Sequence, residues 1–236
     1  MVSELLVKLQ TGHPDFIEDG RFLLIYLNHL KWTEPIALIL AELEDETQAI
    51  RIVRLALEVD FVLGARFAGA VQPKFQAQTV AMVRALAVPE WLKLELLGRT
   101  RSDEALPDLL DAIVDNDADI RAISASALGE IGNRAALPSL MNALTDEHII
   151  TIDRWGTTIY DVRWVVEKAL EKFDPDVVIP YLITALSNNG PPANRVISIA
   201  YLKNWSVRVA CRRHSGNYLN KQANNFFFIK SKFLNP

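Results

Sequence analysis

The sequence predicts an all-α fold, a right-handed superhelix of stacked helical hairpins, on three observations. A motif recurs three times at a near-constant period, apolar residues within it fall at helical spacing, and strand signals are absent.

The repeats come first. One unit reads Ala105-Leu106-Pro107, Leu109-Leu110, Ile113, an acidic turn over 115–119, Ile120-Arg121 and Ala127-Leu128-Gly129. The second reads Ala136-Leu137-Pro138, Leu140, Ala143-Leu144, the turn Asp146-Glu147, then Val162-Arg163 and Ala169-Leu170. The third reads Val178-Ile179-Pro180, Leu182, Ala185-Leu186, a turn over 188–190, then Arg195 and Tyr201-Leu202. Pro107, Pro138 and Pro180 stand 31 and 42 residues apart, while Arg121, Arg163 and Arg195 stand 42 and 32 apart. Each arginine precedes a leucine by seven: Leu128, Leu170 and Leu202. A unit of about 31 residues has room for two helices of roughly three turns and two short turns.

Local chemistry favours a helix hairpin in each unit. The proline is expected near the start of the first helix, where its missing N–H costs nothing. Ser102 can cap that helix, followed by Asp103 and Glu104, which suit the helix dipole. Asp119 and Asp161 are expected to cap the second helices, and Gly132-Asn133 to end one. Upstream, helices are predicted at 21–30, 34–43, 46–59, 61–71, 74–88 and 90–97, with Thr33, Asp45 and Asp60 as caps. Gly64 and Gly69 inside that pattern mean either close helix contact or a weak helix. The chain thus divides into a lead-in (1–19), divergent helical repeats (20–101), three clear repeats (102–205, with an insertion at 147–160) and a basic non-repeat tail (206–236) expected to be poorly ordered.

Composition narrows the function classes. Half the residues are apolar, as in a packed globular chain. No apolar run approaches the roughly 20 residues of a membrane span, and no leader pattern is seen. The single cysteine, Cys211, rules out an internal disulfide and fits a cytoplasmic protein. Its basic surroundings would activate a thiol, but an inert cysteine in the tail is the favoured reading. Net charge is −4, yet residues 203–236 hold seven Lys and Arg and no acid, leaving 18 basic against 29 acidic residues, a net of −11, in 1–202. The body should repel polyanions, so nucleic acid could be met only through the tail.

The Ala-Leu-Pro to Ala-Leu-Gly-Glu-Ile-Gly pattern of 105–132 resembles the HEAT-like repeats named after the phycobilisome lyases. The stretch from Phe22 to Leu97, including Tyr26 to Pro35, is similar to the helical region of cyanobacterial NACHT-type signalling ATPases. The resemblance implies a HEAT/armadillo-like solenoid acting as a sensor or scaffold. This sequence has no Gly-x-x-x-x-Gly-Lys-Ser/Thr loop, so ATP binding does not carry over.

No catalytic, cofactor or metal site is predicted. His13, His29, His148 and His214 form no His-Glu dipeptide of the kind that helical-repeat hydroxylases use for iron. Arg121, Arg163 and Arg195 invite an anion-binding reading; a structural ladder tying each arginine to turn acids of its own or a neighbouring repeat, with Asp119 and Asp161 two residues ahead of theirs, is favoured. Arg195 has Ala193 in place of that acid and should be the least paired. The insertion is the main departure from the repeat. Arg154, Trp155 and Tyr160 are residue types found at interface hot spots, against the alternative that the insertion merely covers the core. Trp32, Trp91, Trp164 and Trp205 are read as core or rim packing rather than a pigment box. The tail, with its basic, Asn-rich and Phe226-Phe227-Phe228 stretches, reads as a reading-frame change or a fused end, with a basic arm as the rival. The functional expectation is a non-catalytic scaffold for protein partners, with no cofactor. A phycobilin-lyase-like subunit is the alternative.

Overall fold

The computed structural model describes residues 17–151 and 159–187. It is an all-α solenoid, and its helices alternate between two layers. We number them α1 (Asp19–Phe22), α2 (Thr33–Glu42), α3 (Glu46–Val59), α4 (Phe61–Ala70), α5 (Pro73–Arg84), α6 (Glu90–Thr100), α7 (Leu106–Ala112), α8 (Ala118–Ile131), α9 (Leu137–Ala143), α10 (Val162–Leu170) and α11 (Pro175–Ser187). Helices α2, α4, α6, α8 and α10 lie side by side in one layer; α3, α5, α7, α9 and α11 form the other. One continuous apolar core runs between them, with Phe67, Ile52, Leu96, Leu97, Leu109, Leu128 and Leu137 fully buried. No single hairpin could shield such a stripe, so stacking is what makes the units stable.

The even-numbered layer is held at backbone contact. A Cβ on Gly69 would collide with the Thr100 carbonyl, one on Gly98 with Ala127, and one on Gly129 with Ala169. Of the two readings of Gly69, close approach is therefore the observed one. Buried hydroxyls close the remaining gaps. Thr79 Oγ1 donates to Ala68 O at 2.7 Å and Ser124 Oγ donates to Leu109 O at 2.6 Å, so neither group is stranded in the core.

Asp45 and Asp60 cap α3 and α4, accepting from Gln48 N (3.2 Å) and Leu63 N (2.7 Å). Ser102 caps a 3₁₀ turn over Asp103–Ala105 that leads into α7. Gly132 ends α8 at φ +71°. Several expectations need correction. Thr33 is the first residue of α2 rather than its cap, because a 3₁₀ turn at Leu30–Trp32 delivers the chain already helical. Asp117, not Asp119, caps α8, since the helix starts one residue before Asp119 and the Asp117 carboxylate accepts from Asp119 N at 2.8 Å. Asn133 is extended and opens the next 3₁₀ turn. Pro180 lies inside α11, because that helix begins earlier, at Pro175. The predicted helix over 21–30 is short: after α1 the chain widens into a π-helical turn, Leu23–Leu27, which turns Phe22 and Leu27 to the core while Leu24 stays exposed.

The largest correction is a sheet. Among the described residues, β1 (Ile149–Thr151) and β2 (Ile159–Asp161) pair antiparallel inside the insertion, with Ile150 opposite Tyr160. The β-branched run has period two: Ile150 is buried and Ile149 exposed. Three residues on each side of a longer segment are too few for the pattern to declare itself in sequence.

Candidate functional site: the insertion edge

The turns joining α7 to α8 and α9 to α10 lie next to each other on one edge of the solenoid, and Arg121 fastens them. It projects from the first turn of α8. Its Nε donates to Asp146 at 2.5 Å, and Nη1 donates to the carbonyls of Asp115 and Asn116, each at 2.9 Å. Both side chains of the pair are largely covered, at 12% and 13% exposure. Burial alone would raise the Asp146 carboxyl, but hydrogen bonds from Arg121 and from the His148 ring and backbone outweigh it and pull it down to about 2. The same contact with Asp146 raises Arg121 above its ordinary value.

Asp146 also sets the base of the ribbon. Its carbonyl accepts from Arg163 N at 2.9 Å, and the His148 carbonyl accepts from Val162 N at 3.1 Å, which closes the loop just outside β1 and β2. Asp161 caps α10 through Trp164 N at 2.8 Å and bonds Arg163 at 2.8 Å; Arg163 reaches Glu147 at 3.0 Å. Tyr160 stacks on Trp164 with centroids 3.9 Å apart, and Lys168 Nζ lies 5.8 Å from the Trp164 ring. Glu167, on the same helix, is raised by burial.

The sequence-derived residues therefore separate as follows. Arg121, Arg163, Asp161 and Tyr160 come together along this edge, and Asp119 stands exposed beside them. Arg154, Trp155 and Arg195, with Trp205 and the basic tail, lie outside the described residues. Arg121 takes the neighbouring-repeat option of the ladder: it binds the turn acid Asp146, which pattern reading did not single out, rather than Asp119. The signal for Asp146 was the Asp-Glu pair standing where the preceding unit carries its own acidic turn. Trp32 packs edge-on against Tyr26, at 4.8 Å between centroids, while Trp91 is exposed. Elsewhere Glu130 joins two units by accepting from Lys172 (2.5 Å) and Arg101 (3.3 Å); the Lys172 bond is the main reason its carboxyl is lowered.

Among the described residues no group of His, Cys, Asp and Glu is arranged to hold a metal ion, and no helix is long and apolar enough to cross a membrane. A shallow depression of about 160 Å³ between α6 and α8, lined by Glu95, Arg99, Ile123 and Glu130, is small for an organic cofactor.

Residues 81–155 match the family model of HEAT repeats. The matched stretch starts in α5 and runs through the Arg121–Asp146 contact into the insertion. It supports a HEAT-like repeat family, and carries neither a lyase nor an ATPase with it. No curated protein matches the chain.

Proposed function

We propose that this chain is a non-catalytic HEAT-repeat scaffold that binds protein partners through the insertion at 147–160, with Arg154, Trp155 and Tyr160 as contact residues. One observation carries the reading: the base of the insertion is fixed from three directions, by Arg121, by the Asp146 carbonyl and by the His148 carbonyl. The strands at 149–151 and 159–161 are thereby held in place, and a fixed root lowers the ordering cost of binding. Aromatic and arginine side chains at such a place supply the largest contact energies.

The test is quantitative pull-down from native lysate with Arg154→Ala, Trp155→Ala and Tyr160→Ala. Arg154→Ala and Trp155→Ala are expected to lose captured partner at an unchanged melting temperature; Tyr160→Ala should lose it with a lowered melting temperature, because its ring packs on Trp164 and the core. Unfolding by the first two would make the insertion a structural cover instead. A phycobilin-lyase-like subunit is the second reading, and a visible absorption band after incubation with bilin would support it. A role as the sensor segment of a separate NACHT ATPase refines the scaffold reading, and co-purification of that ATPase is its test.

A further inference from the structure

The tight seam of the even-numbered layer has an end, and the residues that build it show where. Gly98 of α6 meets Ala127 of α8, and Gly129 of α8 meets Ala169 of α10, each so closely that a Cβ on the glycine would overlap the facing alanine. Gly98 and Gly129 hold equivalent positions, and so do Ala127 and Ala169. Carried one unit further, in the register set by Leu128, Leu170 and Leu202, the glycine position is Glu171 and the alanine position is Tyr201. Main chains touch only where one side lacks a Cβ and the other is small; a glutamate set against a tyrosine cannot repeat that contact.

Two more positions change at the same junction. Leu94 of α6 is 5% exposed and Ala125 of α8 is fully buried, whereas the matching residue of α10 is the half-buried Glu167. Burial raises that carboxyl, so covering it closely costs free energy that an alanine does not. Asp146, the turn acid through which Arg121 ties α8 to the next unit, follows Leu144 by two; the residue that follows Leu186 by two is Asn188. Arg163 is bonded to Asp161 and Glu147 of its own unit. Glycine contact, apolar filler and turn acid are thus all replaced at one place. The odd-numbered layer continues unchanged: α11 lies against α9, with Val178, Ile179 and Leu182 buried.

We propose that the stiff part of the rod ends at α10 and that the third unit, from α11 onward, is hinged to it. The odd-numbered layer supplies the apolar attachment, and the even-numbered layer joins through side chains in place of main-chain contact. The third unit then opens as a body of its own, at a lower free energy than the units before it. The hinge stands beside the insertion, because Trp164 of α10 stacks on Tyr160 of β2. It exists whatever partner the insertion takes.

Native-state hydrogen exchange on the full chain, read by mass spectrometry, is the test. Peptides from α11 are expected to exchange at least about tenfold faster than peptides from α8. Fraying of a terminal helix has the same sign, so restoring variants decide. Glu171→Gly, Asn188→Asp and Tyr201→Ala together rebuild the pattern of the preceding junction; they should slow α11 at least about tenfold and leave α8 within about a factor of two. Asn188→Asp alone changes a turn side chain without touching the apolar contacts, and should slow α11 about threefold. The hinge is refuted if α11 of the natural chain exchanges as slowly as α8, or if the triple variant, with its helical circular dichroism retained, leaves α11 no slower. Should the triple variant lose helicity, the single change decides, and absence of slowing there refutes the hinge.

Discussion

The unit built on α7 and α8 and the unit built on α9 and α10 share a register, and their arginines do different work. Arg121 leaves its own unit to bind Asp146 of the next, and both side chains are nearly covered. Arg163 occupies the matching position, is 32% exposed, and among the described residues bonds acids of its own unit, Asp161 and Glu147. The insertion accounts for the difference. It places an acidic pair ahead of the ribbon and another acid at its end, so Arg163 closes a local loop while Arg121 couples two units. The same repeat position is thus a joint between units in one case and a clasp within a unit in the other.

The glycine contacts should not share this asymmetry. Gly98 and Gly129 each face an alanine of the following even-numbered helix. Gly98→Val and Gly129→Val are therefore expected to cost similar amounts, about 3 kcal/mol each in chemical denaturation, because neither backbone contact has room to give. A large gap between them would mean that the two junctions are not equivalent. At the arginines the comparison should split. Arg121→Met is expected to cost about 2 kcal/mol by leaving Asp146 covered with only its His148 hydrogen bonds, and Arg163→Met under about 1 kcal/mol, since its pairs are reached by water.

Acid titration sharpens the same contrast. With Asp146 held at about 2, the stability it contributes is complete above the ordinary carboxyl range near 3.8 and is lost as pH falls towards 2. The amount is about 2 kcal/mol. In Arg121→Met that loss should shrink, and in Arg163→Met it should persist, as read from urea midpoints across the window. The smallest effect concerns Arg101, which holds φ +54° at the position equivalent to Gly132 in the next unit. Arg101→Gly should gain about 0.5 kcal/mol by removing left-handed strain, set against a solvent-exposed contact with Glu130.

The architecture was legible wherever the cause was local or periodic. The caps at Asp45 and Asp60, the left-handed end at Gly132 and the run of hairpins follow from residues close in sequence. The ribbon was not legible, because the insertion suspends the period and its strands are only three residues long. Asp119 as a cap failed because the helix starts two residues earlier than expected, at Ala118 with Asp117 as its cap. The Arg121–Asp146 contact was hidden for another reason. The two residues lie 25 positions apart, and only the stacking of turns brings them together. The aromatic stack of Tyr160 on Trp164 joins a strand to a helix, so neither period alone pointed to it.

The glycine row has a mechanical consequence. Where Gly69, Gly98 and Gly129 let main chains touch, that side of the rod has nothing left to compress. The opposite layer carries the 3₁₀ turns before α7 and α9. Bending must therefore pivot about the stiff seam, opening or closing the other layer like pages about a spine. A ligand spanning several turns would then feel the curvature of the whole rod as well as the groups it touches.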